Sequence, residues 1–136
     1  LHRFDGPNTR IIANSYGAYL LTSAFIDKPA IASQVLLLSP LLGLTLVEEE
    51  KFYSRPPNQR SWSEALEQGR MTKPSYLEVC AGELDGGACS PTVVLEFSEL
   101  IRADQVQLIP DQGHQLDRSN VQAAIGEFLA NNDSGN

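Results

Sequence analysis

Apolar and polar positions fall along the chain in short blocks, and the period inside each block assigns an element. Arg10-Ile11-Ile12-Ala13-Asn14 is a β-branched run and reads as a strand. It passes directly into residues 17–26, apolar nearly all round, the pattern of a buried helix that Pro29 bars from continuing. Residues 34–39 form an unbroken apolar run closed by Pro40, as expected of a strand covered on both faces of a parallel sheet. Residues 75–81 read as a third strand. Ser90 and Pro91 then stand in cap and first-turn positions of a helix whose Val93, Val94, Phe97, Leu100 and Ile101 recur at helical spacing. Residues 105–109 make a fourth strand. Val121, Ala124, Ile125, Phe128 and Leu129 then form the i, i+3, i+4, i+7, i+8 stripe of a helix packed on one side.

Strands and helices alternating with connections of this length predict an α/β fold, a mostly parallel sheet of about four strands covered by helices. Residues 45–71 break the rhythm with Glu48-Glu49-Glu50-Lys51, Pro56-Pro57 and Trp62. Ser61 and Glu64 have the spacing of a capping box, which predicts a short helix ending near Gly69. The segment is expected to be a cap-like excursion within a single domain of residues 1–136. Its Phe52, Tyr53 and Trp62 would either line an apolar acyl site or form a small core of their own. The acidic run Glu48-Glu49-Glu50 reads as a solvated helix start. The polar tail, residues 131–136, is expected to fray.

Composition narrows the functional classes. An apolar share of 42% suits a packed core. Seventeen acidic against ten basic side chains give a net charge of −7, which argues against nucleic acid or an anionic membrane as partner. No apolar run approaches the ~20 residues that span a bilayer. Leu1-His2-Arg3-Phe4-Asp5-Gly6-Pro7 has no apolar signal region and no methionine, so the expectation is a cytoplasmic chain beginning inside a longer product. Two cysteines, Cys80 and Cys89, are expected as thiols rather than a disulfide, and no metal site is expected from them.

In a parallel sheet, reactive groups gather at the carboxyl ends of the strands, so those loops carry the candidate chemistry. The first reads Ala13-Asn14-Ser15-Tyr16-Gly17. A sharp strand-to-helix turn needs small residues two before and two after its centre and lifts the central hydroxyl off the sheet. It also places the Tyr16 backbone N–H at the positive end of the helix, where it could donate to an oxyanion. The third strand ends in Gly82-Glu83-Leu84-Asp85-Gly86, where Asp85, with Glu83 as alternative, could accept a hydrogen bond from an imidazole. An Asp-Gly pair also serves simple turn formation. The fourth strand leads into Gly113-His114, and His2 is the chain's other histidine.

These three loops resemble the second half of the α/β-hydrolase superfamily, from about Arg10 onward. The elbow matches that family's G-x-S-x-G with Ala13 in place of the first glycine, Gly82 to Asp85 match its G-x-x-D acid loop, and Gly113-His114 match its histidine loop. Chain order Ser, Asp, His is also the family's. The resemblance implies Ser15 as nucleophile, His114 as general base and then acid, Asp85 as its orienting carboxylate, and the Tyr16 N–H as an oxyanion donor. It implies a hydrolase acting on small carboxylic esters or thioesters through an acyl-serine, with no cofactor. It further implies that the family's first strands are absent, together with the loop that normally donates a second oxyanion N–H. An apolar first strand would then be a bare edge, and a homo-oligomer formed through it is expected. Two other readings stay open: a relic of the fold that binds or self-associates without turnover, and an unrelated parallel protein whose Ser15 turn holds a phosphate. The last lacks the glycine spacing of a dinucleotide or phosphate loop.

Overall fold

The computed structural model of the chain describes residues 4–42, 58–86 and 90–134. Among these residues strands and helices alternate as β1 (Arg10–Asn14), α1 (Tyr16–Ala24), β2 (Gln34–Leu38), α2 (Asn58–Glu67), β3 (Tyr76–Gly82), α3 (Pro91–Ile101), β4 (Gln105–Ile109) and α4 (Arg118–Ser134). The strands form one sheet in the order β1-β2-β3-β4, and every neighbouring pair is parallel. The α/β architecture read from the sequence is therefore present.

Monotonic strand order with crossovers of one hand carries the three connecting helices to the same face. There Ala18 of α1, Trp62 of α2, and Val94, Phe97 and Ile101 of α3 pack on Val35, Leu37, Leu77, Val79 and Ala81. The final helix follows the last strand and covers the opposite face. Its Ala124 and Phe128 pack on Leu36, Leu38, Cys80 and Ile109. The unbroken apolar run of β2 has this cause, since Val35 to Leu38 lie between the two layers and are buried on both sides.

Three local expectations need correction. The first concerns α1, which its all-round apolarity suggested would be buried. Its outer side is open, with Leu20 53% exposed, because its packing is on β1 and α2. The second concerns α2, which begins at Asn58, so Ser61 lies inside the helix and not at its start. The third concerns Trp62, which neither lines a site nor builds a separate core. It is fully buried in the main core, donates from Nε1–H to the Leu42 carbonyl at 2.6 Å, and meets Phe97 edge-on at 5.3 Å. Residues 43–57, with Phe52, Tyr53 and the acidic run, lie outside the described residues.

Each sheet edge exposes an apolar side chain: Val106 of β4 is 39% exposed between exposed Gln105 and Gln107, and Ile12 of β1 is 41% exposed beside half-buried Ile11 and Ala13. No described helix is long and apolar enough to cross a membrane.

The α4 layer rests on one large side chain more than any other. Phe128→Ala is expected to cost about 3–5 kcal/mol, seen as a lower midpoint in urea unfolding. Leu100→Ala, at a half-exposed position on α3, is expected to shift that midpoint little.

Candidate active site

The turn after β1 holds Ser15 from both sides. Its N–H continues the ladder to the Leu38 carbonyl at 2.9 Å, and its own carbonyl accepts the Tyr19 N–H of α1 at 3.1 Å. Being the last ladder donor and the first helical acceptor forces a tight reversal, and Ser15 takes φ 52°, ψ −113°. A non-glycine residue in that region stores roughly 1–3 kcal/mol of strain. The strain turns the side chain away from the sheet, toward the histidine loop.

Beyond β3 the chain turns through Glu83 and Leu84, and the turn is pinned to the histidine loop. The Glu83 N–H donates to the Ile109 carbonyl at 2.9 Å, and the Leu84 N–H to the Gln112 carbonyl at 2.8 Å. Asp85 turns inward from this anchored loop, with its side chain 3% exposed. Glu83 points to solvent, so the structure places Asp85, and not the alternative Glu83, against the imidazole.

His114 joins the two ends. Its Nε2 lies 2.8 Å from Ser15 Oγ and its Nδ1 lies 2.9 Å from Asp85 Oδ2. A buried carboxylate accepts and does not donate, so the proton belongs on Nδ1. Nε2 is then left with a lone pair facing the serine hydroxyl. In that tautomer the hydroxyl donates to Nε2. Residues 29 and 99 positions apart in the chain thus share one hydrogen-bonded line.

The serine end of this line opens on a cleft of about 400 Å³ lined by Asn14, Ser15, His114, Gln115, Leu116 and Val121. Tyr16 heads α1, where the helix presents its N–H groups. Its ring stacks on Tyr19 with centroids 5.7 Å apart. The buried thiol of Cys80 is the other potential nucleophile nearby in the sheet. Burial, aided by the charges of Glu78 and Glu127, pushes its pKa up to about 11, so it stays protonated and inert at neutral pH. Cys80 is unbridged, and Cys89 lies outside the described residues.

No protein-family model matches the sequence, and no curated relative matches it. Solved structures do match. A Bacteroides ovatus protein described as a dipeptidyl aminopeptidase IV superposes with TM-score 0.63 at 15% identity, over 88% of this chain and 18% of its own. The ydeN gene product of B. subtilis gives TM-score 0.59 at 13% identity, over 94% of this chain and 69% of its own. A puromycin hydrolase gives 0.61 at 18% identity, over 91% and 21%.

The chain has an α/β-hydrolase fold. It spans about a fifth of two of these structures and about two thirds of the third.

Within that fold the two glycines of the loops behave differently from the sequence reading. A Cβ on Gly17 would meet nothing within 4 Å, so no collision inside the described chain requires glycine there. It borders an apolar groove of about 440 Å³ with Ile11, Ala13, Leu20 and Leu21, on the open side of α1. Gly82, read from sequence only as the start of the acid loop, is the position that tolerates no side chain. A Cβ there would lie 2.2 Å from the Gly113 carbonyl oxygen and 2.3 Å from that of Gln112. Nothing in the local sequence announces this contact, because its partner is in another loop.

Gly82→Ala therefore has to push the histidine loop outward. Overpacking of this kind is expected to cost about 1–3 kcal/mol in urea unfolding. It is also expected to slow reaction of Ser15 with a fluorophosphonate by roughly 10²-fold, the effect of misplacing the imidazole by about an ångström.

Proposed function

We propose that the chain is a serine hydrolase that transfers the acyl group of a carboxylic ester or thioester to water. The observation carrying this reading is the continuous line from Ser15 Oγ through His114 to Asp85, with contacts of 2.8 and 2.9 Å. The names of two of the structures sharing the fold, an aminopeptidase and a puromycin hydrolase, support hydrolysis of a carboxyl derivative.

In this reading Ser15 Oγ attacks the acyl carbon as its proton moves to His114 Nε2. The resulting imidazolium passes that proton to the departing alcohol or thiol as the bond to the acyl carbon breaks. Water, deprotonated by the same nitrogen, then attacks the acyl-serine, and the proton returns to Ser15 as the carboxylic acid leaves. Asp85 holds the ring in the productive tautomer and stabilises its charged form. The Tyr16 N–H, aided by the positive end of α1, stabilises the oxyanion. No group beyond the chain's own side chains and backbone is needed for these steps.

Ser15→Ala is expected to abolish both fluorophosphonate labelling and turnover of a short p-nitrophenyl ester. Asp85→Asn is expected to keep the fold and lower kcat by roughly 10⁴-fold, because an amide favours the wrong tautomer. A folded wild-type protein that neither labels nor turns over would sink the enzyme reading in favour of a binding module. Running a matched p-nitroanilide alongside the ester separates ester from amide preference.

We further infer a homo-oligomer assembled through β1. Exposed Ile12 and Leu20 on this edge favour it, because an apolar strand with an open side recruits a further chain. Multi-angle light scattering at micromolar concentration is expected to give a dimer or larger. A monomeric mass across that range would contradict it.

A further inference from the structure

The hydrolase reading assigns no role to the end of β2, yet that strand lies between the one that carries Ser15 and the one that leads to Asp85. Ser39 immediately follows β2 and is 1% exposed. Its backbone N–H continues the ladder to the Cys80 carbonyl at 2.8 Å. Its hydroxyl donates to the backbone carbonyl of His114, also at 2.8 Å, across 75 positions of sequence.

The residue before it makes the complementary contact. The Leu38 carbonyl accepts the Ser15 N–H at 2.9 Å. Leu38, the last residue of β2, and Ser39 just past it therefore hold the backbone of the nucleophile and the backbone of the base at once. The Ser15 Oγ to His114 Nε2 separation of 2.8 Å is set across this short strap. Asp85 orients the ring about its own axis, but a ring is only as well placed as the backbone that carries it.

Backbone conformation adds a second, independent observation. Ser39 has φ 44°, in the left-handed region that glycine enters without cost. Among the described residues, non-glycine positions with positive φ are Ser15, Asp27, Ser39, Arg102 and Asp111. Three of these, Ser15, Ser39 and Asp111, stand just past the carboxyl ends of β1, β2 and β4. A serine kept where glycine fits better points to a use for its hydroxyl, and strain of this sort gathers at functional sites.

We propose that Ser39 is a positioning residue, whose buried hydroxyl fixes the His114 backbone so that the imidazole meets Ser15. The assignment rests on the serine-hydrolase reading for its consequence in rate, though its geometric content is separable from it.

Ser39→Gly and Ser39→Ala together test it. Glycine removes the hydroxyl and relieves the backbone, whereas alanine removes the hydroxyl and keeps the strain, so the glycine variant is expected to melt above the alanine variant. Both are expected to lower kcat on a p-nitrophenyl ester by roughly 10- to 100-fold with KM within about two-fold, as misplacement of a catalytic group does. Ser39→Gly with wild-type kcat, or a kcat loss confined to the less stable alanine variant, would overturn the proposal. A readout independent of turnover is the ¹⁵N spectrum of the imidazoles, with His2→Gln assigning the two histidines. In wild type His114 is expected as the Nδ1–H tautomer with an Nε2 shift displaced by the bond from Ser15; in Ser39→Gly the tautomer held by Asp85 persists, and the Nε2 shift moves toward that of a ring without the serine bond. Should the wild type show no turnover, the hydrolase reading falls and this spectrum alone decides the placement. An unchanged His114 signature in Ser39→Gly would then refute the role of Ser39.

Discussion

The parallel ladder is the constraint on which the rest of the molecule depends. It aligns Asn14, Leu38 and Cys80 across three strands and so brings the starts of their loops to one side of the sheet. The register also staggers them. Gly82 and Ile109 pair two residues beyond the last β2–β3 partners, so β3 and β4 reach roughly 6 Å further at about 3.3 Å per residue. The acid and histidine loops therefore start above the serine turn, and His114 bends back over β2 to meet Ser15. A one-residue slip in any pairing would exchange the two faces of the slipped strand and separate these groups.

Given that frame, the loops lock each other by backbone rather than by side chains. The Glu83 and Leu84 N–H groups take carbonyls of the histidine loop, and Gly82 lets that loop approach to a distance no side chain permits. Buried Asp85 is tolerable only because its carboxylate is engaged, with the imidazole as a partner at 2.9 Å. Strain at Ser15 and Ser39 is held in place by ladder bonds on both residues. The sheet core supplies the stability against which that strain is borne.

The same logic explains the exposed side of α1 and the apolar edge of β1. Residues suited to burial, Ile12 and Leu20, face outward, and Gly17 borders an open apolar groove. The chain spans only 18% to 69% of the length of the structures whose fold it shares. Part of the sequence pattern thus refers to packing that the described residues do not complete.

Sequence alone determined the elements and their order, because hydrophobic period, Pro29, Pro40 and Pro91 act within a turn or two of where they stand. It also determined that Ser15, Asp85 and His114 stand in that order just past the carboxyl ends of three of the strands. Tertiary structure decided what local pattern cannot carry. It chose Asp85 over Glu83, drew Trp62 into the main core, and left one side of α1 open. It moved the demand for glycine from Gly17 to Gly82, and brought Ser39 under the His114 backbone. Each of these depends on atoms tens of residues away in sequence, whose meeting is settled by strand register and layer packing rather than by neighbouring residue types.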